Sequence, residues 1–473
     1  MSDLPILQPA VGRRHFLTAC AACAAQVFCP RSATASPRIE SPASATPVKL
    51  RLVFSHQAVD RETWPYMGFD YEARKKEVQG LLERGCPRVQ FLPVTATSRD
   101  DARRILVDDA EVDGYVIYMI GIWTGAGQVI ASAMRPTLFV DDLYAGSGEF
   151  LTAYAGAKRK GYRVAGVSSS RFEDVVEGIK AFECMRRMRS AVILDVTERD
   201  PGLRASAIQD TFGATVRATS AAEINEAYNR ANREEGRKFA DRWVRGALKV
   251  IEPSRQTIDE AGVMYIALRD LLERHGSDAV TVDCLSLFYG KKLPAYPCLG
   301  FFQLNNDGKV GACEADLYST VSMLLMTYLT GRPGYISDPV IDTSKNQIIY
   351  AHCVAPTKVF GPDGPANPYQ IRSHSEDRQG ASIRSLMPLG EMTTTLLVNP
   401  QSKEIVFHQG KTVANIDEDK ACRTKLAAEV KDVEKLLGEW DRWGWHRVTF
   451  YGDLRRPVNT IASLMGFKLV EEG

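Results

Sequence analysis

The stretch "CEADLYSTVSMLLMTYLTGRPGYISD", residues 313–338, has an acid near each end of an otherwise apolar run: Glu314 and Asp338. Two carboxylates separated by about one helix can divide acid–base work on a substrate, or contribute to a divalent-cation site. Histidine is the other side chain that does both kinds of work near neutral pH. The chain has seven histidines, and four of them (His352, His374, His408 and His446) follow Asp338. "IIYAHCVAP" puts His352 on or just after an apolar strand, and "GWHRVTFYGD" starts a strand at His446 with Trp445 beside it. Each also has an ordinary structural reading. Glu314 favours the N-terminus of the helix that follows it. Asp338 is a turn residue before Pro339. A lone histidine on an apolar strand is commonly a hydrogen-bonded core residue.

The elements that must position these residues can be read from periodicity. "ADLYSTVSMLLMTYLTG" predicts a helix with Leu317, Val321, Leu324, Leu325 and Tyr328 as its apolar stripe and Gly331 as its C-cap. The preceding "FFQLNNDGKVGACE" reads as a loop. Upstream, apolar strands such as "VKLRLVFS", "GYVIYMIG", "PTLFVDD" and "SAVILDV" alternate with helical segments such as "YEARKKEVQGLLERG" and "SRDDARRILVDD", the latter capped by Ser98. That alternation predicts parallel sheets covered on both faces. The stretch "SAAEINEAYNRANREEGRKFADRWV" reads as one long helical segment, and "VTVDCLSLF" as a strand. After Asp338 the texture changes to short strands separated by Pro, Gly and Asn. The expected fold class is therefore α/β: two Rossmann-like parallel-sheet domains, residues 47–166 and 167–330, followed by a mostly β domain at 331–473.

Composition bounds the partners. In 473 residues, 59 Lys and Arg balance 58 Asp and Glu, for a net charge of +1. No basic tract with interleaved aromatics is present, so nucleic acid is not an expected partner. Residues 1–46 form a separate segment. Arg13 and Arg14 precede a short apolar run, and "SATAS" supplies a small-residue cleavage site, the pattern of a twin-arginine export signal followed by a linker. The apolar run is too short to span a membrane. The expected location is the periplasm, with the cytoplasm as the alternative. Seven cysteines follow this segment without CxxC spacing and read as buried small hydrophobes.

Other motifs carry less chemistry. Gly125, Gly127 and Asp141 imitate a dinucleotide fingerprint, but the third glycine is missing and Pro136 cuts the helix short. A Gly-rich turn at a sheet edge is the simpler reading. On that edge Trp123 could stack on a sugar ring, and His56 ends the first strand. Ser168 to Ser170 open a helix, where an N-cap suffices.

Taken together, residues 295–470 resemble the L-fucose isomerases and the related L-arabinose isomerases. In the fucose enzymes a Glu opens this helix and an Asp follows 24 residues later, as Asp338 follows Glu314 here. "LTG" at the helix end matches as well. "YAHC" resembles the strand on which arabinose isomerases carry a metal-binding histidine, here His352. "RSHSEDRQGAS" resembles a later loop and maps His374 and Glu376, although Arg378 and Gln379 replace its usual small residues. "GWHRVTFYGD" resembles the strand with the last metal-binding histidine, here His446.

The resemblance implies a metal-dependent aldose–ketose isomerase. Glu314, Asp338, His352 and His446 would hold a divalent metal, and Glu314 and Asp338 would also pass protons between the two carbons and their oxygens. His56, Trp123, His374, Glu376 and Trp445 are the candidates for sugar contact. Two carboxylates with one or two imidazoles suit Mn²⁺, which would stabilise a developing ene-diolate. A trimer or hexamer is also implied, with a neighbour's N-terminal domain covering the sugar. The alternatives are an exported carbohydrate-binding protein without catalysis, and a metal-dependent epimerase or lyase.

Overall fold

Five largely apolar strands open the described part of the chain: β1 (Val48–Ser55), β2 (Val89–Ala96), β3 (Gly114–Met119), β4 (Thr137–Asp141) and β5 (Val164–Ser168). The computed structural model describes residues 47–58, 62–109 and 111–473. The twin-arginine segment and its linker lie outside them. These strands form a wholly parallel sheet in the order β2-β1-β3-β4-β5. Every residue of β3 and β4 is buried, which is why their sequences run apolar without alternation. The Tyr71–Gly85 helix and the Ser98-capped Arg99–Asp108 helix lie where the sequence puts them.

The chain continues through β6 (Val192–Val196), β7 (Thr215–Thr219), the two-residue β8 (Lys249–Val250), β9 (Ala279–Val282) and β10 (Val310–Cys313). Four of these make a second parallel sheet, ordered β10-β9-β6-β7. Three expectations fail here. The long helical stretch is two helices, Ala221–Arg230 and Arg233–Gly246, because Ala231 is extended and Asn232 starts a new N-cap on the Glu235 N–H. The presumed loop before Glu314 is the Cys298–Asn306 helix, a turn at Gly308 with φ of 80°, and then β10. "VTVDCLSLF" is likewise a strand only as far as Val282, then the Cys284–Tyr289 helix. Short elements next to turn residues give too little periodicity to read.

Beyond the Leu317–Thr330 helix come β11 (Tyr335–Asp342), β12 (Gln347–His352), β13 (Tyr369–Arg372), β14 (Ser382–Ser385), β15 (Met392–Asn399), β16 (Glu404–Asn415), β17 (Thr424–Val430), β18 (Arg447–Tyr451) and β19 (Lys468–Glu471). β15-β18-β11-β12-β17-β16 are joined in antiparallel pairs, and β15 also pairs with β16, so the sheet closes into a barrel. β19 adds to β16 in parallel. The β-rich expectation for the C-terminal part holds. β13 and β14 form a separate small sheet with β8.

One buried charge network locks the barrel. Glu472 accepts from Arg447 Nε at 2.9 Å and Nη2 at 3.0 Å, and contacts His408 Nδ1 at 3.0 Å; all three side chains are fully buried. Burial pushes the Glu472 carboxyl up, but His408 and Arg447 outweigh it and hold it down at about 2. Removing one partner of such a network strands the others without counter-charge. Glu472→Ala should therefore cost about 3–5 kcal/mol, read as a lower urea midpoint; an unchanged midpoint would show that the barrel does not depend on this network.

Candidate metal centre

Glu314 follows β10 directly, at the C-terminal edge of the second parallel sheet. It and Ala315 both have positive φ, 67° and 50°, and turn the chain from strand into helix. Two consecutive left-handed non-glycine residues are unfavourable and persist only where the surroundings fix them. Here the Ala315 N–H donates to Val282 O at 3.0 Å and the Glu314 N–H to Cys284 Sγ at 3.3 Å. The helix cap is not Glu314 but Asp316, whose Oδ1 accepts the Tyr318 and Ser319 N–H groups at 3.0 and 3.1 Å. With capping done by Asp316, the Glu314 side chain is free for other use. At the other end Gly331 has φ of 71° and closes the helix as expected.

Asp338 is not in a turn. It lies within β11, opposite Ala351 of β12. β12 ends one residue later at His352. On the other side of β11, Ser337 pairs with Arg447, so one further step of antiparallel register puts Asp338 beside His446. Three neighbouring barrel strands thus present Asp338 from within β11, His352 at the end of β12 and His446 just before β18. Glu314 comes to meet them from the parallel sheet.

One ligand atom from each of Glu314, Asp338, His352 and His446 lies within 4.8 Å of the others. His446 Nε2 is 3.2 Å from Asp338 Oδ1 and 3.4 Å from Glu314 Oε2, and His352 Nε2 is 3.5 Å from Glu314 Oε1. Even so, neither Nε2 has an aligned hydrogen-bond partner, and both are buried. Orphaned imidazole nitrogens facing two carboxylates suit a cation between them.

The two histidines are held differently. His446 Nδ1 lies 2.9 Å from Asp316 Oδ2, to which it donates; this leaves a lone pair on Nε2 facing the cluster. His352 Nδ1 instead accepts the Cys353 N–H at 2.9 Å, so its neutral ring carries the proton on Nε2, toward Glu314. Burial lowers both imidazoles, but the carboxylates outweigh it. His352 rises to about 9, chiefly through Glu314, and His446 rises well above its usual range, chiefly through Asp316. Burial raises the Glu314 and Asp338 carboxyls, while the imidazoles more than reverse this and hold both below the ordinary range.

Trp445 joins the site. Its Nε1–H donates to Asp338 Oδ1 at 2.7 Å while 64 % of the side chain stays exposed. None of the recorded contacts of the other four candidates reaches the cluster. His374 contacts Asp377 at 3.1 Å and packs against Phe288 and Tyr296, and Glu376 accepts the Tyr289 hydroxyl. His56 stacks on Tyr71 with ring centroids 4.0 Å apart and keeps a buried, unpartnered Nε2. Trp123 is 73 % exposed at the edge of the first sheet, with its carbonyl bound by Gln57. The nearby dinucleotide imitation is set aside: its helix is only Ala126–Ala131, and Asp141 accepts from the Ser147 and Ser168 hydroxyls. Asp316 is the site residue that the sequence reading missed; an Asp just before an apolar helix is its only sequence signal. All seven described cysteines are free and buried, as expected. Among the described residues no helix is long and apolar enough to cross a membrane.

No family model matches the chain. It is similar to proteins named sulfoquinovose isomerase. The one from Clostridium sp. (strain MSTE9) is 25 % identical over 275 residues, 55 % of this chain and 59 % of the relative. That from Alkalicoccus urumqiensis is 20 % identical over 304 residues, 62 % of this chain and 67 % of the relative. That from Priestia megaterium is 24 % identical over 230 residues, 47 % of this chain and 50 % of the relative. The alignments thus span between half and two thirds of these relatives. They are sugar isomerases by name, and not named for fucose or arabinose.

Metal binding here must displace protons from the imidazoles. Since both are raised in the free cluster, affinity should fall as pH drops through neutrality, with protons released on binding. Calorimetry of Mn²⁺ binding in buffers of different ionisation enthalpy measures this directly, and release of no protons at pH 7 would contradict it. Asp316→Asn should weaken Mn²⁺ binding about 10–100-fold by loosening His446, read in the same titration; unchanged affinity would show that His446 does not need Asp316.

Proposed function

We propose that this protein is a divalent-metal-dependent aldose–ketose isomerase of sugars. The observation that carries the reading is the convergence of Glu314, Asp338 and His446, with His352 behind them, at the junction of a parallel sheet and a barrel rim. Glu314, Asp338 and the Nε2 of His446 would hold the metal, with His352 completing the set only if its proton moves from Nε2 to Nδ1, which gives up the Cys353 N–H contact. When bound, a Mn²⁺-class ion would stabilise negative charge developing on two adjacent sugar oxygens.

The chain's own residues supply the rest. Glu314 and Asp338 are ionised at neutral pH, so each can accept a proton and return it. A carboxylate that removes hydrogen from the carbon beside a carbonyl, and returns it to the neighbouring carbon, interconverts aldose and ketose through an ene-diolate. His352 holds a proton at Nε2, 3.5 Å from Glu314, ready to be passed on. Trp445 offers an exposed indole face beside Asp338 on which a sugar can lie.

The relatives' name brings a sulfonated hexose forward as the first sugar to assay. We also propose a homo-oligomer in which the sheet edge bearing His56 and Trp123 covers the sugar of a neighbouring copy, and export by the twin-arginine route. The test compares wild type with Glu314→Gln/Asp338→Asn. Wild type should bind about one Mn²⁺ per chain and convert an aldose to its ketose, and the double variant should lose both. Bound metal without turnover across an aldose panel would favour an epimerase or lyase, and sugar binding without metal a carbohydrate-binding protein; either would reject the isomerase reading.

A further inference from the structure

The second parallel sheet has a crevice next to the metal centre that the isomerase reading leaves unused. β6 leads to β7 on one side, and the chain then crosses to β9 on the other, so strand order reverses between β6 and β9. Ligands of open α/β sheets bind at the C-terminal ends of strands at such a reversal. Glu314 directly follows β10 on this same edge, one strand beyond β9.

A built constellation occupies the crevice. Asp283, directly after β9, pairs with Arg199 Nε at 2.9 Å, and its side chain is 6 % exposed against 63 % for the arginine. Thr197, directly after β6, contacts Asp283 Oδ2 at 3.4 Å through its hydroxyl and accepts the Arg199 N–H at 3.1 Å. Below them Asp195 is only 2 % exposed, and its Oδ1 has no hydrogen-bond partner. A buried acceptor without a partner is unusual and points to a missing one. Burial pushes Asp195 up to about 6, opposed by Arg199 and reinforced by Asp283, so it adds less negative charge here than an ordinary aspartate. A second guanidinium, Arg204, lies 5.7 Å from the Tyr318 ring, beside the residue that caps the metal helix.

We propose that Arg199, held by Asp283, receives an anionic group on the far end of the sugar, and that the substrate therefore belongs to the hexoses with a charged tail, sulfonate or phosphate. With Nε paired to Asp283 and the side chain 63 % exposed, the two terminal nitrogens are left to face a tetrahedral oxyanion. The reach fits. Strands about 4.8 Å apart put the β9–β6 crevice roughly 5–10 Å along the edge from Glu314. An open-chain hexose whose reacting end is at the metal spans about 6 Å of carbon skeleton before its terminal substituent. Asp195 and Thr197 would bind hydroxyls near that end, which gives the orphaned Oδ1 its partner.

This inference rests on the isomerase reading for where the reacting carbons sit, so the experiment separates the two. Full-length Mn²⁺-loaded protein, wild type, Arg199→Gln and Arg199→Lys, is assayed with D-glucose, glucose 6-phosphate and sulfoquinovose, for turnover and for binding by calorimetry. Arg199 is exposed, and equal thermal midpoints check that the variants fold. Wild type should prefer at least one charged sugar by about 10–100-fold in kcat/KM over glucose. Arg199→Gln should bring that ratio to within about threefold of unity, and Arg199→Lys should keep part of it. Which charged sugar is preferred tells sulfonate from phosphate. A charged-to-neutral ratio that Arg199→Gln leaves unchanged, or that is already near unity in wild type, overturns the subsite while leaving the isomerase reading intact. Binding of a charged sugar that depends on Arg199 but leads to no turnover keeps the subsite and rejects the isomerase. No binding of any of the three sugars rejects the subsite and leaves the isomerase reading to the aldose panel.

Discussion

The structure depends on bringing two carboxylates and two imidazoles into one partly buried space. Glu314 and Asp338 repel each other, and burial disfavours their charged forms. The imidazoles of His352 and His446 offset this, and the carboxylates raise both of them in return. That compensation also makes the site receptive, since a divalent cation can replace imidazole protons at the same place. The surroundings then hold the geometry. Asp316 caps the helix with one oxygen and orients His446 with the other, so a single carboxylate ties the start of the helix to the barrel rim. Cys284 and Val282 fix the left-handed turn that aims Glu314.

The architecture follows from that meeting point. A parallel sheet presents side chains at the C-terminal ends of its strands, and a barrel presents them at its rim. The Leu317–Thr330 helix runs between the two, packed so fully that eleven of its residues are buried. Its body is anchored on the barrel by the Val398 N–H donating to Ser322 Oγ at 2.8 Å. The penultimate residue, Glu472, closes the account from the far side by pinning Arg447, the immediate neighbour of His446.

Much of this was legible in the sequence where periodicity ran long enough. The parallel strands, the Tyr71–Gly85 and Leu317–Thr330 helices and the long strands of the barrel all carry patterns of many residues. On spacing and strand context alone Glu314, Asp338, His352 and His446 each had an ordinary structural reading; it was the resemblance to the fucose and arabinose isomerases that implied the group which the fold brings together. What was missed is short or depends on context. β10 has four residues, one of them glycine, and Gly308 precedes it, so it read as loop. Asp338 before Pro339 looked like a turn because pairing partners on both sides are invisible in a single chain pattern. Asp316 was passed over because capping and histidine orientation become one role only in three dimensions. His374 and Glu376 were placed by analogy of a loop, and their partners here are Asp377 and Tyr289.

The most direct test of the central claim is a crystal of the full-length chain grown with Mn²⁺ and measured at the manganese absorption edge. The account predicts one strong anomalous peak per chain, about 2.1 Å from carboxylate oxygens of Glu314 and Asp338 and from His446 Nε2. Well-ordered crystals in which that peak is absent, or in which it lies elsewhere while these four side chains keep their metal-free positions, would contradict it.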